Sequence, residues 1–206
     1  MDYTMKVIAR IHSDFPEKFG IPRQSGLVPA LRAKIVFEPE YRNPDALRGI
    51  EGFSHLWLIW QFSAAVRDTW SPTVRPPRLG GNERVGVFAT RSPFRPNAIG
   101  LSCVKLEGVQ HEDGLGDVLI VSGADLMDGT PIYDIKPYLP YADAHPEALG
   151  GFAPSPKETI EVKSPPELLR KLPEGQREAL LGVLAQDPRP QYQNDPERVY
   201  GMSFGG

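Results

Sequence analysis

Cysteine is nearly absent: Cys103 is the only one in 206 residues. A single thiol excludes an internal disulfide framework and any cysteine-rich zinc site. Histidine is scarce too, and His12, His55, His111 and His145 share no metal-ligand spacing, so no bound metal is expected. Long apolar runs are missing. The longest, His55 to Val66, is broken by His, Gln and Ser and is too short to span a bilayer. No cationic segment leads into an apolar stretch near Met1, so no signal peptide is expected. The sequence therefore reads as cytoplasmic, without a membrane partner. A strong excess of charge is also lacking, and a net charge of -3 does not by itself advertise nucleic acid. The familiar catalytic signatures are absent: no Walker loop, no GxSxG elbow, no HExxH, and no GxGxxG after a strand.

What remains is enough for a core. The hydrophobic fraction is 40%, and the length allows one full domain plus a small appendage. The charge is unevenly spread. Arg67, Arg75, Arg78, Arg84, Arg91 and Arg95 face only Asp68 and Glu83 in the same stretch, a local excess of four positive charges inside an acidic protein.

Glycine and proline are plentiful, at 20 and 22, and they punctuate short β-branched segments. Strands are predicted at Met5–Ile11, Ala33–Phe37, Ser54–Phe62, Arg84–Phe88, Leu101–Leu106, Asp117–Ser122 and Ile132–Ile135. Ser54–Phe62 is apolar enough to be buried on most of both faces. One short helix is predicted at Pro44–Arg48, with Asn43 as N-cap, Pro44 in the first turn and Gly49 as its stop. Many short strands between Gly/Pro turns indicate an all-β barrel or sandwich. After the linker-like 144–155 the pattern changes. It predicts a strand at Thr159–Val162, a helix from Pro165 to Lys171 capped by Ser164, a second helix over Glu174–Gln186 and a last strand over Arg198–Phe204. The expected fold is mainly β, with residues 1–148 as a β-barrel domain and residues 149–206 as a small α+β domain.

Three stretches depart from ordinary loops. Residues 14–29 (DFPEKFGIPRQSGLVP) have no periodicity, and so long an irregular stretch is either functional or a mobile surface loop. Residues 90–102 (TRSPFRPNAIGLS) hold Arg91, Arg95 and Asn97 beside two prolines that restrict the backbone. Guanidinium groups presented that way suit a carboxylate or phosphate ligand, or Arg–Asp bridges inside the fold. Residues 124–138 (ADLMDGTPIYDIKPY) crowd three aspartates, a lysine and two tyrosines around a turn at Asp128–Pro131. Turn chemistry accounts for Asp128 and Gly129, but not for Asp125, Asp134 and Lys136, which form a solvated face or a site. His55 is either a satisfied core histidine or a pocket residue, and Cys103 reads as a small core residue.

Those stretches also carry a family likeness. PRQSGLVP (22–29), GFSHLWLIWQF (52–62), VGVFATRSPFRPNAIGLS (85–102), DLMDGTPIYDIKPYLPYAD (125–143), DPRPQY (187–192) and RVYGM (198–202) resemble the TsaA-like, or TrmO, family from about residue 4 to 202. The resemblance implies a non-Rossmann β-barrel methyltransferase, usually homodimeric. It implies S-adenosylmethionine as cofactor and tRNA as substrate, at N6 of threonylcarbamoyladenosine 37 in the anticodon loop. A small C-terminal domain helps to hold the tRNA. Carried over by position, Pro22, Arg23, Gln24, His55, Leu56, Arg91, Leu101, Asp128, Gly129, Thr130 and Pro131 fall on cofactor-binding positions. The carbamoylated nitrogen needs a general base, for which Asp128, Tyr133 and Asp134 are candidates, with Lys136 as electrostatic support. Arg95 and Asn97 are assigned to the substrate, and Arg23 or Arg95 to the threonyl carboxylate. A different acceptor, or a non-catalytic cofactor-sensing or RNA-binding module, is the alternative.

Overall fold

The computed structural model describes residues 4–190, 195 and 197–205; Gln191 and Tyr192, which close the DPRPQY string, lie outside the described residues. Alternation of apolar and polar side chains builds its sheet, because successive side chains on a strand point to opposite faces. β1 (Ala9–His12) buries Ala9 and Ile11 and turns Arg10 and His12 outward. β2 (Arg32–Phe37) buries Ala33, Ile35 and Phe37, and β3 (His55–Gln61) buries Leu56, Leu58 and Trp60. β4 (Thr73–Val74) and β5 (Val85–Gly86) form a separate two-residue ladder. β6 (Ile99–Glu112), β7 (Gly116–Ser122) and β8 (Pro131–Pro137) complete the set.

The six longer strands pair antiparallel in the order β1-β2-β7-β6-β3-β8, and β8 returns to β1 through the pairs Ala9–Ile132 and Arg10–Pro131. The long strand β6 makes this closure possible by changing partner. Its first half, Ile99–Lys105, lies along β3, and its second, Lys105–Glu112, lies along β7. Inside the ring sits one apolar cluster, including Ile11, Ile35, Leu56, Leu58, Trp60, Leu119 and Ile132.

A second cluster lies outside the ring. Phe15, Val28 and Leu31 from the irregular 14–31 segment pack against Ala179 and Val183 of the C-terminal helix, with Ile21, Met202 and Phe204 around them. That helix is α3 (Glu174–Ala185); α1 (Pro140–Asp143) and α2 (Pro166–Leu169) are single turns. Gly182 lets α3 approach closely, since a Cβ there would stand 2.6 Å from Val28 Cγ1.

Several expectations need correction. Ser54–Phe62 is fully buried on one face only, and Trp57, Ile59 and Gln61 on the outer side of β3 are half-buried. Arg84–Phe88 contributes only the two residues of β5 before a 3-10 turn at Val87–Ala89. Pro44–Leu47 is likewise 3-10, and the Asn43 side chain accepts from the Asp45 N–H at 3.0 Å. Thr159–Val162 and Arg198–Phe204 are not strands, so the α+β expectation for residues 149–206 gives way to helix and extended chain. Neither segment has a ladder partner among the described residues. Ile160 makes one backbone bond to Ala185 O at 2.9 Å, and the apolar side chains of the tail go to the second cluster. Among the described residues no helix is long and apolar enough to cross a membrane, and no group of three or more His, Cys, Asp or Glu is placed to hold a metal ion.

Candidate active site

Packing of residues 14–31 against α3 fixes the segment that carries Pro22, Arg23 and Gln24. Pro22 is buried, Gln24 half-buried and Arg23 exposed. The segment lies against β6 and the chain after β7. Ser25 Oγ accepts from Cys103 N at 3.1 Å, and Gly26 N donates to Gly123 O at 2.8 Å. Gly123 has φ +73°, and a Cβ there would stand 3.2 Å from Gly26 Cα, so the two backbones meet at a position that demands glycine.

The arginine-rich loop reaches the same place. The Arg91 guanidinium donates to Gln24 Oε1, joining two cofactor positions that the resemblance assigned separately. The loop shapes itself through short side chains: Thr90 Oγ1 accepts from Ser92 N at 3.2 Å, and Ser92 Oγ accepts from Phe94 N at 3.2 Å. Arg95 Nη1 donates to the carbonyls of Thr90 (2.9 Å) and Ser92 (3.3 Å), so this arginine braces its own loop. Asn97 is exposed. Neither Arg91 nor Arg95 forms an ion pair within 4.0 Å of a carboxylate among the described residues, although the Arg91 charge draws the Asp125 carboxyl down against the larger upward push of burial.

Asp128–Pro131 forms a turn tied to β1. Gly129 takes φ +72°, its N–H donates to Ile11 O at 2.8 Å, and its carbonyl accepts from Arg10 Nη1 at 3.1 Å. Asp128 Oδ1 accepts from Ser13 N at 3.1 Å and lies 3.3 Å from His12 Nδ1, while Thr130 is buried. A depression of about 360 Å³ opens beside His12 and Ser13.

His55 stands apart from that turn. The register pairs Leu56 with Pro137 and Trp60 with Ile132. His55 and the Asp128–Pro131 turn therefore occupy opposite ends of β3 and β8, about 20 Å apart along β3 at about 3.3 Å per residue. His55 is half-buried, 2.9 Å from Ser54 Oγ through Nδ1, and its ring centroid is 6.1 Å from that of Tyr138. Leu56 points into the ring core, so only its backbone can meet a ligand.

Between these ends runs the outer face of β8, β3 and β6. Lys136 is registered with Trp57, Asp134 with Ile59, and on the other side Cys103 with Trp57 and Leu101 with Ile59. Lys136 Nζ is 2.8 Å from Asp134 Oδ2, and Leu101 is 54% exposed. Tyr133 is half-buried. Trp57 Nε1 donates to Asp143 Oδ2 at 3.0 Å. The Leu139 N–H and this indole hold the Asp143 carboxyl below its ordinary value. Burial pushes the Cys103 thiol up, with a smaller push from Asp143.

Sequence reasoning missed Trp57, Tyr138, Asp143 and His12 as framing residues. Outward alternation on β3 and β1 would have marked Trp57 and His12; Tyr138 and Asp143 required the register. The described geometry thus joins Arg91 to Gln24, sets Asp128 beside His12 of β1, and groups His55, Trp57, Tyr138 and Asp143 at the other end of β3 and β8.

Comparison with known proteins decides the family. A model described as the tRNA-methyltransferase O N-terminal domain matches residues 10–144, and the TrmO C-terminal domain model matches residues 157–206. The chain belongs to the tRNA-methyltransferase O family. A relative of this family, the tRNA (adenine(37)-N6)-methyltransferase of Escherichia coli, is 44% identical over 203 residues, covering 95% of this chain and 86% of its own. A Pseudomonas aeruginosa protein provisionally named as an S-adenosylmethionine-dependent methyltransferase is 46% identical, covering 98% of this chain and 89% of its own. The crystal structure of TrmO from Pseudomonas aeruginosa superposes with a TM-score of 0.80 at 39% identity, covering 100% of this chain and 89% of that one.

Proposed function

We propose that this chain transfers a methyl group from S-adenosylmethionine to N6 of adenosine 37 in tRNA, with the threonylcarbamoylated base as its substrate. The names of the Escherichia coli and Pseudomonas aeruginosa relatives support the reaction and the cofactor. The observation that carries the reading to this chain is the bond from Arg91 to Gln24, which brings two cofactor segments 67 positions apart into one site.

The side chains present fit the cofactor. Arg91 offers a guanidinium group for its carboxylate, and Trp57, Tyr138 and His55 offer aromatic faces for its adenine. When bound, it supplies an electrophilic methyl on a sulfonium, which a nucleophile displaces in line. The protein's task is then alignment and proton removal. The acceptor nitrogen donates its lone pair to the carbamoyl group and needs deprotonation. Of the three candidates, Asp128 suits the base role best, because the imidazole of His12 at 3.3 Å can take the proton on toward solvent. Asp134 is instead engaged by Lys136 Nζ at 2.8 Å. Lys136 keeps its electrostatic role on the sheet face.

Arg23 is the better ligand for the threonyl carboxylate, since Arg95 is engaged by its own loop. Burial and the neighbouring Arg23 and Arg78 guanidiniums hold the Lys157 ammonium below its ordinary value, so three cations gather where an anionic RNA would approach. The arginine-rich stretch presents Arg67 over the Phe94 ring at 3.7 Å and the exposed rings of Trp70 and Phe88, a surface suited to an anticodon loop. The closed strand order supports residues 1–148 as the catalytic β-barrel, and residues 149–206 are assigned to holding the tRNA. The exposed Ile99 and Leu101 on the outer sheet face support a homodimer, and a tRNA substrate supports a cytoplasmic enzyme.

The test is incubation with labelled S-adenosylmethionine and tRNA with and without threonylcarbamoylation. Label is expected in the modified tRNA alone. Equal label in both, or none in either, rejects the reading.

A further inference from the structure

Two of the strings that carry the family likeness, 187–192 and 198–202, have no part in the proposed reaction, yet the fold brings them together. Where they meet the 14–31 segment lies a cavity of about 280 Å³, near the lower end of small-molecule sites. Leu184 of α3 and Met202 give it apolar lining, Phe19 and Tyr200 two aromatic rings, and Arg189 and Arg198 two guanidiniums. No carboxylate lines it among the described residues. The tail is seated firmly on one side. Gly20 has φ +95°, and a Cβ there would stand 2.1 Å from Met202 Sδ, so the two segments close on each other at a position that demands glycine.

The rings and cations are ordered. Phe19 and Tyr200 lie nearly parallel, 16° between planes, with centroids 6.3 Å apart. The Arg198 guanidinium stands 5.3 Å from the Tyr200 centroid, so a cation and two rings meet at Tyr200. Arg198 is exposed and has no ion pair among the described residues. Arg189 is pinned instead: its Nε and Nη2 donate to the two oxygens of Asp187 at 2.6 Å and 3.1 Å. Asp187 ends α3, its N–H donating to Leu184 O at 3.0 Å. It has φ +47°, and among the described residues no other non-glycine takes a positive φ. Glycine is the usual residue at that place after a helix. An aspartate accepts the strain, and its carboxylate then holds Arg189 at the cavity from two points, a pattern typical of binding sites.

We infer that this cavity takes one unpaired nucleotide of the tRNA, its base against Phe19 and Tyr200 and its phosphate at Arg198. Aromatic faces beside a guanidinium without an acidic partner match that chemistry. An aliphatic acid would leave the rings unused, and an uncharged ring would leave Arg198 unused. The assignment rests on the tRNA reading above. It adds a defined contact on the C-terminal part, built from residues other than the Trp70–Phe88 patch, on the same segment that carries Arg23.

The experiment uses the full-length chain and its Arg198→Ala and Tyr200→Leu variants. Filter binding of threonylcarbamoylated tRNA across a salt series is read beside hydrogen exchange with and without that tRNA. Tyr200→Leu keeps apolar bulk but removes the ring, and is expected to weaken tRNA binding about fivefold or more at an unchanged salt slope. Arg198→Ala is expected to lower the slope by about one, with the melting temperature and the S-adenosylmethionine affinity of the parent. Bound tRNA should slow exchange at 198–202 in the parent. A parent-like slope for Arg198→Ala, or exchange at 198–202 that tRNA does not slow, overturns the inference; if the parent still methylates tRNA, the functional reading stands. A parent that neither binds nor methylates tRNA overturns both. Adenosine 5′-monophosphate is the second probe: slower exchange at 198–202 with it but not with tRNA makes this a site for a free nucleotide and overturns the inference. Parent-like tRNA affinity of a folded Tyr200→Leu overturns it too, and should that variant fail to fold, the exposed Arg198→Ala decides through its slope.

Discussion

Gln176 of α3 donates through Nε2 to Asp14 Oδ1 at 2.7 Å, a bond that spans 162 positions and enters the start of the cofactor segment. It is one of several such ties. Gly205 N donates to Asp14 O at 2.9 Å, Ser203 N donates to Glu17 Oε1 at 3.2 Å, and the Phe15 and Phe204 rings meet edge-on with centroids 5.5 Å apart. The C-terminal helix has its core in common with residues 14–31 rather than one of its own. Whatever the C-terminal part binds is therefore mechanically connected to Pro22, Arg23 and Gln24.

Val183→Ala tests that connection. Val183 is fully buried between Phe15, Val28 and Leu31. Removing its methyl groups is expected to cost about 2 kcal/mol, near the low end for core truncations. In a chain of this size that lowers Tm by about 4–8 °C. Calorimetry measures it, and hydrogen exchange should show residues 14–31 loosening before the strands do. A variant that melts as the parent does would mean the second cluster adds little to the fold.

Gly100→Ala tests the inner wall. The added Cβ would need space held by the Trp60 ring, whose indole N–H is fixed on Ser102. Overpacking of that kind costs about 1–3 kcal/mol. Urea titration followed by tryptophan fluorescence should show a lower midpoint with an unchanged slope. Gly52→Ala, where nothing lies within 4 Å of the added atom, serves as the control.

The strands of the ring were legible because their alternation is regular: Leu56, Leu58 and Trp60 in, Trp57 and Ile59 out. The full length of β6 was not legible, since it depends on an exchange of partners at Lys105 that no local pattern records. Thr159–Val162 and Arg198–Phe204 have strand composition but no neighbour to pair with, and β-propensity is a preference for a half-buried pleated surface that they lack. At the site, the cofactor segments were marked by residue strings. Their arrangement was not, because the distance between His55 and Asp128 is set by the register of β3 against β8. The bracing of its own loop by Arg95 was hidden for a related reason: the carbonyls of Thr90 and Ser92 that it binds are brought to it only in the folded turn.

Acid stability should follow Glu107. Its carboxylate accepts from Ser122 Oγ at 2.7 Å and lies 3.2 Å from both Lys105 Nζ and Arg32 Nη1; the Ser122 hydroxyl, first among these, holds it below its ordinary value. A depressed acid contributes stability above its unfolded value of about 4.3 and loses it as the pH falls through the folded value. Asp14 works in the opposite sense. Burial raises its carboxyl, so ionisation at neutral pH opposes folding and acidification relieves it. Glu107→Gln is therefore expected to lower the urea midpoint at neutral pH and flatten its decline toward acid, whereas Asp14→Asn should steepen it. Identical acid profiles for Glu107→Gln and the parent would remove Glu107 from the account.

The arginine-rich stretch gives the sharpest separation of RNA binding from cofactor binding. Trp70 and Phe88 stand 52% and 73% exposed with ring centroids 6.1 Å apart, and Arg67 lies across Phe94. Exposed rings interleaved with guanidiniums stack on unpaired bases, each worth about 1–3 kcal/mol. Trp70→Ala should accordingly weaken tRNA binding by about fivefold or more, with little change in its salt dependence. Arg75→Ala, at an exposed position without an ion pair among the described residues, should instead lower the salt slope by about one. Neither substitution should alter the affinity for S-adenosylmethionine, because neither residue is among those assigned to the cofactor. Filter binding across a salt series and calorimetry read the two effects separately. If Trp70→Ala leaves tRNA affinity intact but changes the sedimentation coefficient, the aromatic patch joins two copies of this chain, and the RNA surface must be sought around Lys157, whose ammonium is held down by burial first and then by Arg23 and Arg78, against a smaller opposing pull from Asp187.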